Sequence, residues 1–176
     1  MTVKTIQIAD SATLVGKTEN ILRKPCSFVS KIDNDVMKII EDLRDTLRSD
    51  DLSVGLAAPQ IGYNLAIAIV NLQKNNPDRD LIMINPVVKS ETGQWDEKYE
   101  SCMSIPHKKG QVKRRKKISV SYLDLDGNEQ VIDATGFEAR VIMHEIDHLN
   151  GVLFVDRMEK GANLEDTDLF REHGIA

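Results

Sequence analysis

The pattern of apolar and polar residues predicts two helices separated by a block of strands. Across residues 33–48 the apolar positions recur at three- and four-residue steps, which is the spacing of one helical face. These positions are Val36, Ile39, Ile40, Leu43 and Leu47. Asp33 and Asn34 precede them and are typical N-cap residues. A second run, residues 137–149, contains no helix breaker, and Gly151 is placed to end it.

The region between these helices has the features of β-structure. The apolar stretches "LAIAIVNL" (65–72) and "LIMINPVV" (81–88) predict strands, and "NNPDRD" (75–80) predicts the turn between them. The segment "ISVSYLDLDGNEQVIDA" (118–134) alternates around Asp126 and Gly127, which predicts a β-hairpin. A helix, several strands and a second helix, in that order, favour an α+β fold over alternating β/α units.

Composition and charge narrow the class of protein. The chain has 176 residues, 41% of them hydrophobic and 29% charged, which is typical of a globular protein with one domain spanning 1–176. A formal net charge of −5 disfavours a general nucleic-acid or anionic-membrane binder. No apolar run approaches the roughly 20 residues of a membrane span. Two cysteines, Cys26 and Cys102, are too few for a disulfide framework, so we expect free thiols in the cytoplasm or an equivalent reducing compartment.

The segment "HEIDH" (144–148) carries the strongest chemical signal. On a helix, His144 and His148 project from one face one turn apart and can reach a single metal ion, with Glu145 beside them. The flanking sequence "VIMHEIDHLNGVLF" is apolar, so the helix is expected to be largely buried. A buried pair of histidines next to a carboxylate favours a metal site over a chance pattern on an exposed surface.

A catalytic metal site usually has three protein ligands, and the third one here is open from spacing alone. One metallopeptidase pattern would place it at position 154, where this chain has Phe154, which cannot bind a metal. Another would use a downstream glutamate, and Glu165 and Glu172 lie in a polar tail. The upstream candidate is Cys102, because a thiolate is a strong ligand for divalent metals, although a small buried thiol is the commoner role of a single cysteine.

Three segments together resemble the motifs of the peptide deformylase family. They are "SVGLAAPQIG" (53–62), "ESCMS" (100–104) and "HEIDH" (144–148), and they occur in the family's order and at similar separations. The similarity extends over most of the chain from about Leu52 to Met158. It implies an α+β fold in which antiparallel and mixed β-sheets pack around a central helix carrying the HExxH motif, with a second amphipathic helix near the N-terminus.

The resemblance implies a metal-dependent hydrolase that removes the formyl group from the initiator methionine of new polypeptides. By this similarity Cys102, His144 and His148 bind one divalent metal, with Fe(II) expected and zinc, nickel or cobalt possible. Glu145 is the implied general base and acid. The side-chain amide of Gln60 and the backbone N–H of Met103 are the implied donors to the developing oxyanion.

The implied partner is the N-formylmethionyl nascent peptide. The small residues of "GLAAPQ" allow another backbone to approach closely, as strand-like peptide binding requires, although the same segment on its own indicates a plain loop leading into a strand. By similarity of position, the substrate-binding candidates are Val54, Gly55, Leu56, Ser101, Phe137 and Val141. Two alternatives stay open, a metallopeptidase and a deformylase-like protein that binds formyl-peptides with little turnover.

The chain departs from the family pattern at several positions. Ser53 and Ser101 stand where glycine is usual, which is tolerable unless the backbone requires a positive φ there. Leucine is common where Met103 stands, and glutamine often precedes the first histidine, where this chain has Met143. No departure removes an implied metal ligand or the implied base.

A basic stretch interrupts the otherwise acidic chain. "KKGQVKRRKK" (108–117) has seven basic residues in ten, and a solvated strand or loop is its simplest interpretation. A sharper hypothesis is a weak, salt-dependent contact with the phosphate-rich ribosome, without sequence-specific nucleic-acid binding or membrane association.

Overall fold

Three helices are present in the computed structural model, which describes residues 1–16, 19–73 and 76–167. They are α1 (Ser11–Leu14), α2 (Asn34–Ser49) and α3 (Gly136–Leu149). Single 3₁₀ turns occur at Ile21–Arg23, Ala58–Ile61, Pro77–Arg79 and Phe154–Arg157. None of the helices in the described part of the chain is long and apolar enough to cross a membrane.

Helix α2 forms where the sequence pattern predicts it. The Asp33 carboxylate caps the helix by accepting hydrogen bonds from the backbone N–H groups of Asp35 and Val36, at 3.1 and 3.2 Å. All five apolar positions of the predicted stripe are buried. The N-cap and the burial of one apolar face therefore stabilise α2.

The described strands form one six-stranded sheet. In chain order they are β1 (Gly55–Ala57), β2 (Ile67–Val70), β3 (Leu81–Cys102), β4 (Ile105–Leu123), β5 (Glu129–Thr135) and β6 (Glu165–Asp166). Strands β1 to β5 are neighbours in sequence order, and β6 pairs with the start of β4. All these pairings are antiparallel, and the one parallel contact among the described residues is an isolated bridge between Ser27 and Leu65. The α+β class is confirmed, and its parallel component is limited to that bridge.

Helix α3 is the centre of the molecule. It contacts β1, β2, β4 and β5, while α2 packs on β1 and β2. The β1–β2 end of the sheet is thus in contact with both helices, which explains why every residue of β2 is buried and why its sequence is continuously apolar.

The hairpin predicted around Asp126 and Gly127 is confirmed. Strands β4 and β5 pair from Lys117 opposite Thr135 to Leu123 opposite Glu129. Gly127 has a φ of 80°, a conformation that favours glycine. The predicted strand 81–88 proves to be only the start of β3, whose remaining length pairs with the basic stretch and ends at Cys102.

Candidate metal centre

Cys102, His144 and His148 come together in the interior. Cys102 ends β3, and the two histidines lie one turn apart on α3. Their ligand atoms all lie within 4.8 Å of one another, and Cys102 Sγ is 3.3 Å from His148 Nε2. The side chains are buried, with residual exposures of 2% for Cys102 and 1% for each histidine.

The donor set fits a divalent transition metal. Within the described ranges of the chain, His144 Nε2 is buried without a hydrogen-bond partner. Burial, with the neighbouring His144 adding to it, lowers the pKa of His148 well below its usual value, so its imidazole is in the neutral form that binds metals. Burial raises the pKa of the Cys102 thiol to about 12 in the absence of a cation, an effect that a bound metal reverses. One thiolate and two imidazoles suit iron, zinc, cobalt or nickel and leave a coordination position open.

Glu100 orients the first histidine. Its Oε2 lies 3.0 Å from His144 Nδ1, and the carboxylate is only 1% exposed. Burial acts to raise the pKa of Glu100, but hydrogen bonds from Arg114 and His144 hold it well below its usual range. An ionised carboxylate at this distance accepts the Nδ1 proton, so the Nε2 lone pair of His144 faces the ligand cluster.

A buried network of charges surrounds Glu100 and was not predicted from the sequence. Arg114 donates to Glu100 through Nε and Nη2 and to Asp147 through Nη1. Arg140 also donates to Glu100, and Arg157 donates to Asp147 through Nε and Nη2. Arg114 is 5% exposed, so the interpretation of 108–117 as a solvated strand is wrong at this residue. Sequence signals did exist, since Glu100 and Asp147 lie inside the quoted motifs and Arg140 interrupts an apolar helix.

Glu145 is fully buried beside the ligand cluster. Neither of its carboxylate oxygens has a hydrogen-bond partner among the described residues. Burial, with the charge of Glu100 adding to it, raises the pKa of Glu145 well above its usual value in the absence of a cation, an effect that a bound metal opposes. A carboxyl group without protein partners in a closed site is available to exchange a proton with a small molecule there.

Gln60 is oriented by its own loop. Its Oε1 accepts a hydrogen bond of 2.8 Å from the Ala57 N–H, which turns the amide nitrogen toward the cluster. Gln60 Nε2 lies 3.5 Å from Cys102 Sγ and 3.4 Å from Ser104 Oγ. The side chain is fully buried, so a fixed donor faces the cysteine.

Four of the residues expected to contact a substrate lie in or next to strands β1 and β3. Val54 is half-buried directly before β1, and Gly55, the first residue of β1, lies against the Glu145 carboxylate. Ser101 is 8% exposed on β3, and Met103, half-buried, follows Cys102. Neither Ser53 nor Ser101 has a positive φ, so the glycine usual in the family is not required by the backbone.

Phe137 lines a pocket, whereas Leu56 and Val141 do not reach the surface. The pocket has a volume of about 420 Å³ and is lined by Asp96, Lys98, Tyr99, Phe137 and Arg140. Leu56 and Val141 are fully buried in hydrophobic clusters. Of these three predicted contacts, Phe137 is the one whose side chain lines this pocket.

The alternative third ligands lie elsewhere. The Phe154 ring stacks on His144, with ring centroids 6.3 Å apart. Glu165 lies on β6, where it accepts a hydrogen bond from Tyr99 Oη, and Glu172 is outside the described residues. The group of potential ligands in the described part of the chain is Cys102, His144 and His148, without a downstream carboxylate.

Comparison with known proteins identifies the family of the chain. The family model described as polypeptide deformylase matches residues 12–163. A peptide deformylase of Thermosynechococcus vestitus is 42% identical over 158 residues, 89% of this chain and 82% of that protein. Peptide deformylase 1 of Clostridium perfringens is 41% identical over 138 residues, 78% of this chain and 91% of that protein.

Solved structures of peptide deformylases have the same fold as this chain. The peptide deformylase of Thermotoga maritima superposes with a TM-score of 0.79 at 31% identity, covering 90% of this chain and 99% of that one. The peptide deformylase of Synechococcus elongatus, solved in complex with actinonin, gives a TM-score of 0.76 at 35% identity, covering 89% of this chain and 79% of that one. The fold and the donor set define a metal-dependent hydrolase. The chain belongs to the polypeptide deformylase family.

Proposed function

We propose that this enzyme hydrolyses the formyl amide of N-formylmethionine at the start of newly made polypeptides. The products are formate and a free amino terminus. The observation that carries the proposal is the convergence of Glu145, Gln60 and the three candidate ligands in one closed site. Family membership over most of the chain supports the same reaction.

Cys102, His144 and His148 would hold the metal. Bound there, a divalent cation supplies Lewis acidity, which polarises a carbonyl and acidifies a coordinated water. We expect Fe(II) in the cell and iron or zinc in a purified sample, with nickel and cobalt also accepted by this ligand type. Metal analysis of protein purified without oxygen tests this expectation.

Glu145 would act as the proton carrier. It takes a proton from the water that attacks the formyl carbon and delivers a proton to the nitrogen as the C–N bond breaks. Its unpartnered carboxylate oxygens support this role, because no described protein group competes for them.

Gln60 and the Met103 N–H would stabilise the formyl oxygen as it gains negative charge. The amide of Gln60 is held in place by the Ala57 N–H, so little reorganisation is needed when the charge develops. Loss of one such donor typically costs roughly 3–4 kcal/mol of transition-state stabilisation.

The peptide would lie in an extended conformation beside β1. Among the described strands, β1 has β2 on one side and no strand on the other, so a substrate backbone can approach Val54 and Gly55 there. Ser101, which precedes the candidate ligand Cys102, would be a contact from β3. The methionine side chain would enter the pocket at Phe137, where the rings of Phe137 and Tyr99 offer apolar surface. Of Leu56, only the backbone remains a candidate contact, since its side chain is buried.

Release of formate from formyl-Met-Ala-Ser by the Fe(II) or Ni(II) enzyme tests the proposal. Glu145→Ala should retain its metal and lose roughly 100- to 10,000-fold in kcat. Glu138→Ala, on the same helix but in its first turn, is the matched control and should keep wild-type activity. Wild-type activity in Glu145→Ala would refute the assigned role. Binding of the formyl-peptide without release of formate would indicate a binding protein. Cleavage of unformylated peptides would indicate a peptidase.

We further propose that the protein acts in the cytoplasm or an equivalent reducing compartment. There it would make a weak, salt-dependent contact with the ribosome through the exposed side of β4. Lys113 and Arg115 lie on this side and approach the half-exposed Trp95 ring, at 5.9 and 4.1 Å from its centroid. Co-sedimentation with ribosomes should weaken as salt rises. It should weaken further in a Lys113→Ser, Arg115→Ser double variant, whereas equal co-sedimentation of variant and wild type would exclude this surface.

A further inference from the structure

We infer that Arg140 is a positioning residue for the metal centre, acting through Glu100 on His144. The inference rests on the proposed ligand set of Cys102, His144 and His148. The hydrogen bonds of Arg140 go to Glu100 and to the Val112 and Asp96 carbonyls, so its effect on the ligands passes through the Glu100 carboxylate.

Both oxygens of Glu100 are fully engaged. Oε1 accepts hydrogen bonds from Arg114 Nε at 2.6 Å and from Arg140 Nη1 at 2.7 Å. Oε2 accepts from Arg114 Nη2 at 2.9 Å and lies 3.0 Å from His144 Nδ1. Arg114 donates one hydrogen bond to each carboxylate oxygen, and Arg140 donates a further hydrogen bond to Oε1 from another direction. Together they fix the plane of the carboxylate and hence the direction in which His144 is held.

Arg140 is itself held rigidly. It is 3% exposed, and its Nη1 also donates to the Val112 carbonyl at 2.9 Å. Its Nη2 donates to the Asp96 carbonyl at 2.7 Å. One guanidinium on α3 therefore joins β3, β4 and the Glu100 carboxylate. A lysine ammonium lacks the planar fork that makes these contacts simultaneously.

The position of Arg140 also relates the metal centre to the pocket. Its side chain lines the pocket that also contains Phe137, and Arg140 itself lies one helical turn before His144 on α3. Removing the guanidinium leaves Glu100 bound to Arg114 alone among the arginines, so the carboxylate keeps a counter-charge but loses its second restraint. The expected consequence is looser orientation of His144 and faster loss of metal, rather than loss of the ligand itself.

Metal release from the Co(II)-loaded protein tests this inference. Transfer of cobalt to an excess of a coloured chelator is followed for wild type, Arg140→Met, Arg140→Lys and the control Arg157→Met. We expect Arg140→Met to release metal roughly 10- to 100-fold faster, because changes to the partners of metal ligands typically cost that factor in affinity. Arg140→Lys should be intermediate. Arg157→Met should resemble wild type, because Arg157 reaches only Asp147 in this network.

A purely structural role gives a different result. Thermal unfolding of the metal-free proteins would then shift for Arg140→Met, while cobalt release at temperatures well below the transition would stay at the wild-type rate. That release rate would overturn the inference. If Arg140→Met does not fold, Arg140→Lys is measured instead. Cobalt release faster from Arg140→Lys than from Arg157→Met supports the positioning role, and equal rates of cobalt release refute it. The assay contains no peptide, so its outcome is separate from that of the formate assay.

Discussion

Gly55 lies directly against the carboxylate of Glu145. A Cβ added to Gly55 would overlap Glu145 Oε1 and lie 2.9 Å from Cδ. The glycine of the first motif is thus needed because the HExxH glutamate occupies the space where a side chain would be. Strand β1 and helix α3 meet at this contact, which fixes the position of the proposed proton carrier Glu145 relative to β1.

Gly55→Ala should displace Glu145 and lower kcat by roughly 100-fold, the loss that a misplacement of about 1 Å can cause. The formate assay measures this effect, and the metal content should remain that of wild type. Ser53→Gly is the control and should leave kcat near the wild-type value. The φ of Ser53 is not positive, so replacing it by the usual glycine relieves no backbone strain. Equal activity of Gly55→Ala and wild type would contradict the close contact.

Glu100→Gln should destabilise the fold by about 3–5 kcal/mol, because two buried arginines each lose one of the carboxylates that compensate their charge. The free energy of unfolding of the metal-free protein in urea measures the loss. Glu97→Gln, an exposed change three residues away on β3, should stay within about 0.5 kcal/mol of wild type. Similar unfolding midpoints for the two variants would argue against the buried network as a source of stability.

The Cys26 thiol should react slowly with alkylating reagents near neutral pH. Burial raises its pKa to about 11 from a reference value of 9.0, and only the thiolate is reactive. The raised pKa means that burial of the neutral thiol favours the folded state below the unfolded pKa, and this contribution is lost as pH rises through the folded value. Mass spectrometry of alkylated peptides against pH should find the Cys26 rate at half of its plateau near pH 11. A half-plateau near the reference value of 9.0 would show an ordinary exposed thiol.

Asp33→Ala should lower the free energy of unfolding by about 1 kcal/mol, the usual value of an N-cap side chain. The carboxylate accepts the Asp35 and Val36 N–H groups, and alanine leaves both without that partner. Asp33→Asn retains an acceptor and should lose only a small part of this stability. Equal losses for alanine and asparagine would mean that the charge, and not the cap, stabilises α2.

Local features of the fold followed from the sequence alone. The apolar spacing of α2, its cap at Asp33 and the hairpin turn at Gly127 depend on residues within a few positions of one another. The same holds for the i, i+4 geometry that places His144 and His148 on one helical face. Such features are determined by backbone geometry and side-chain type, which a sequence states directly.

The surroundings of Glu100 were decided by the tertiary structure. Its partners Arg114, Arg140 and His144 are 14, 40 and 44 residues away in sequence. Burial of Arg114 within a basic stretch, and of Leu56 and Val141 away from the pocket, depends on how α3 packs against the long β3–β4 hairpin. Residue spacing carries no information on which distant charges meet in the interior, because that is fixed only when helix and sheet exclude water together.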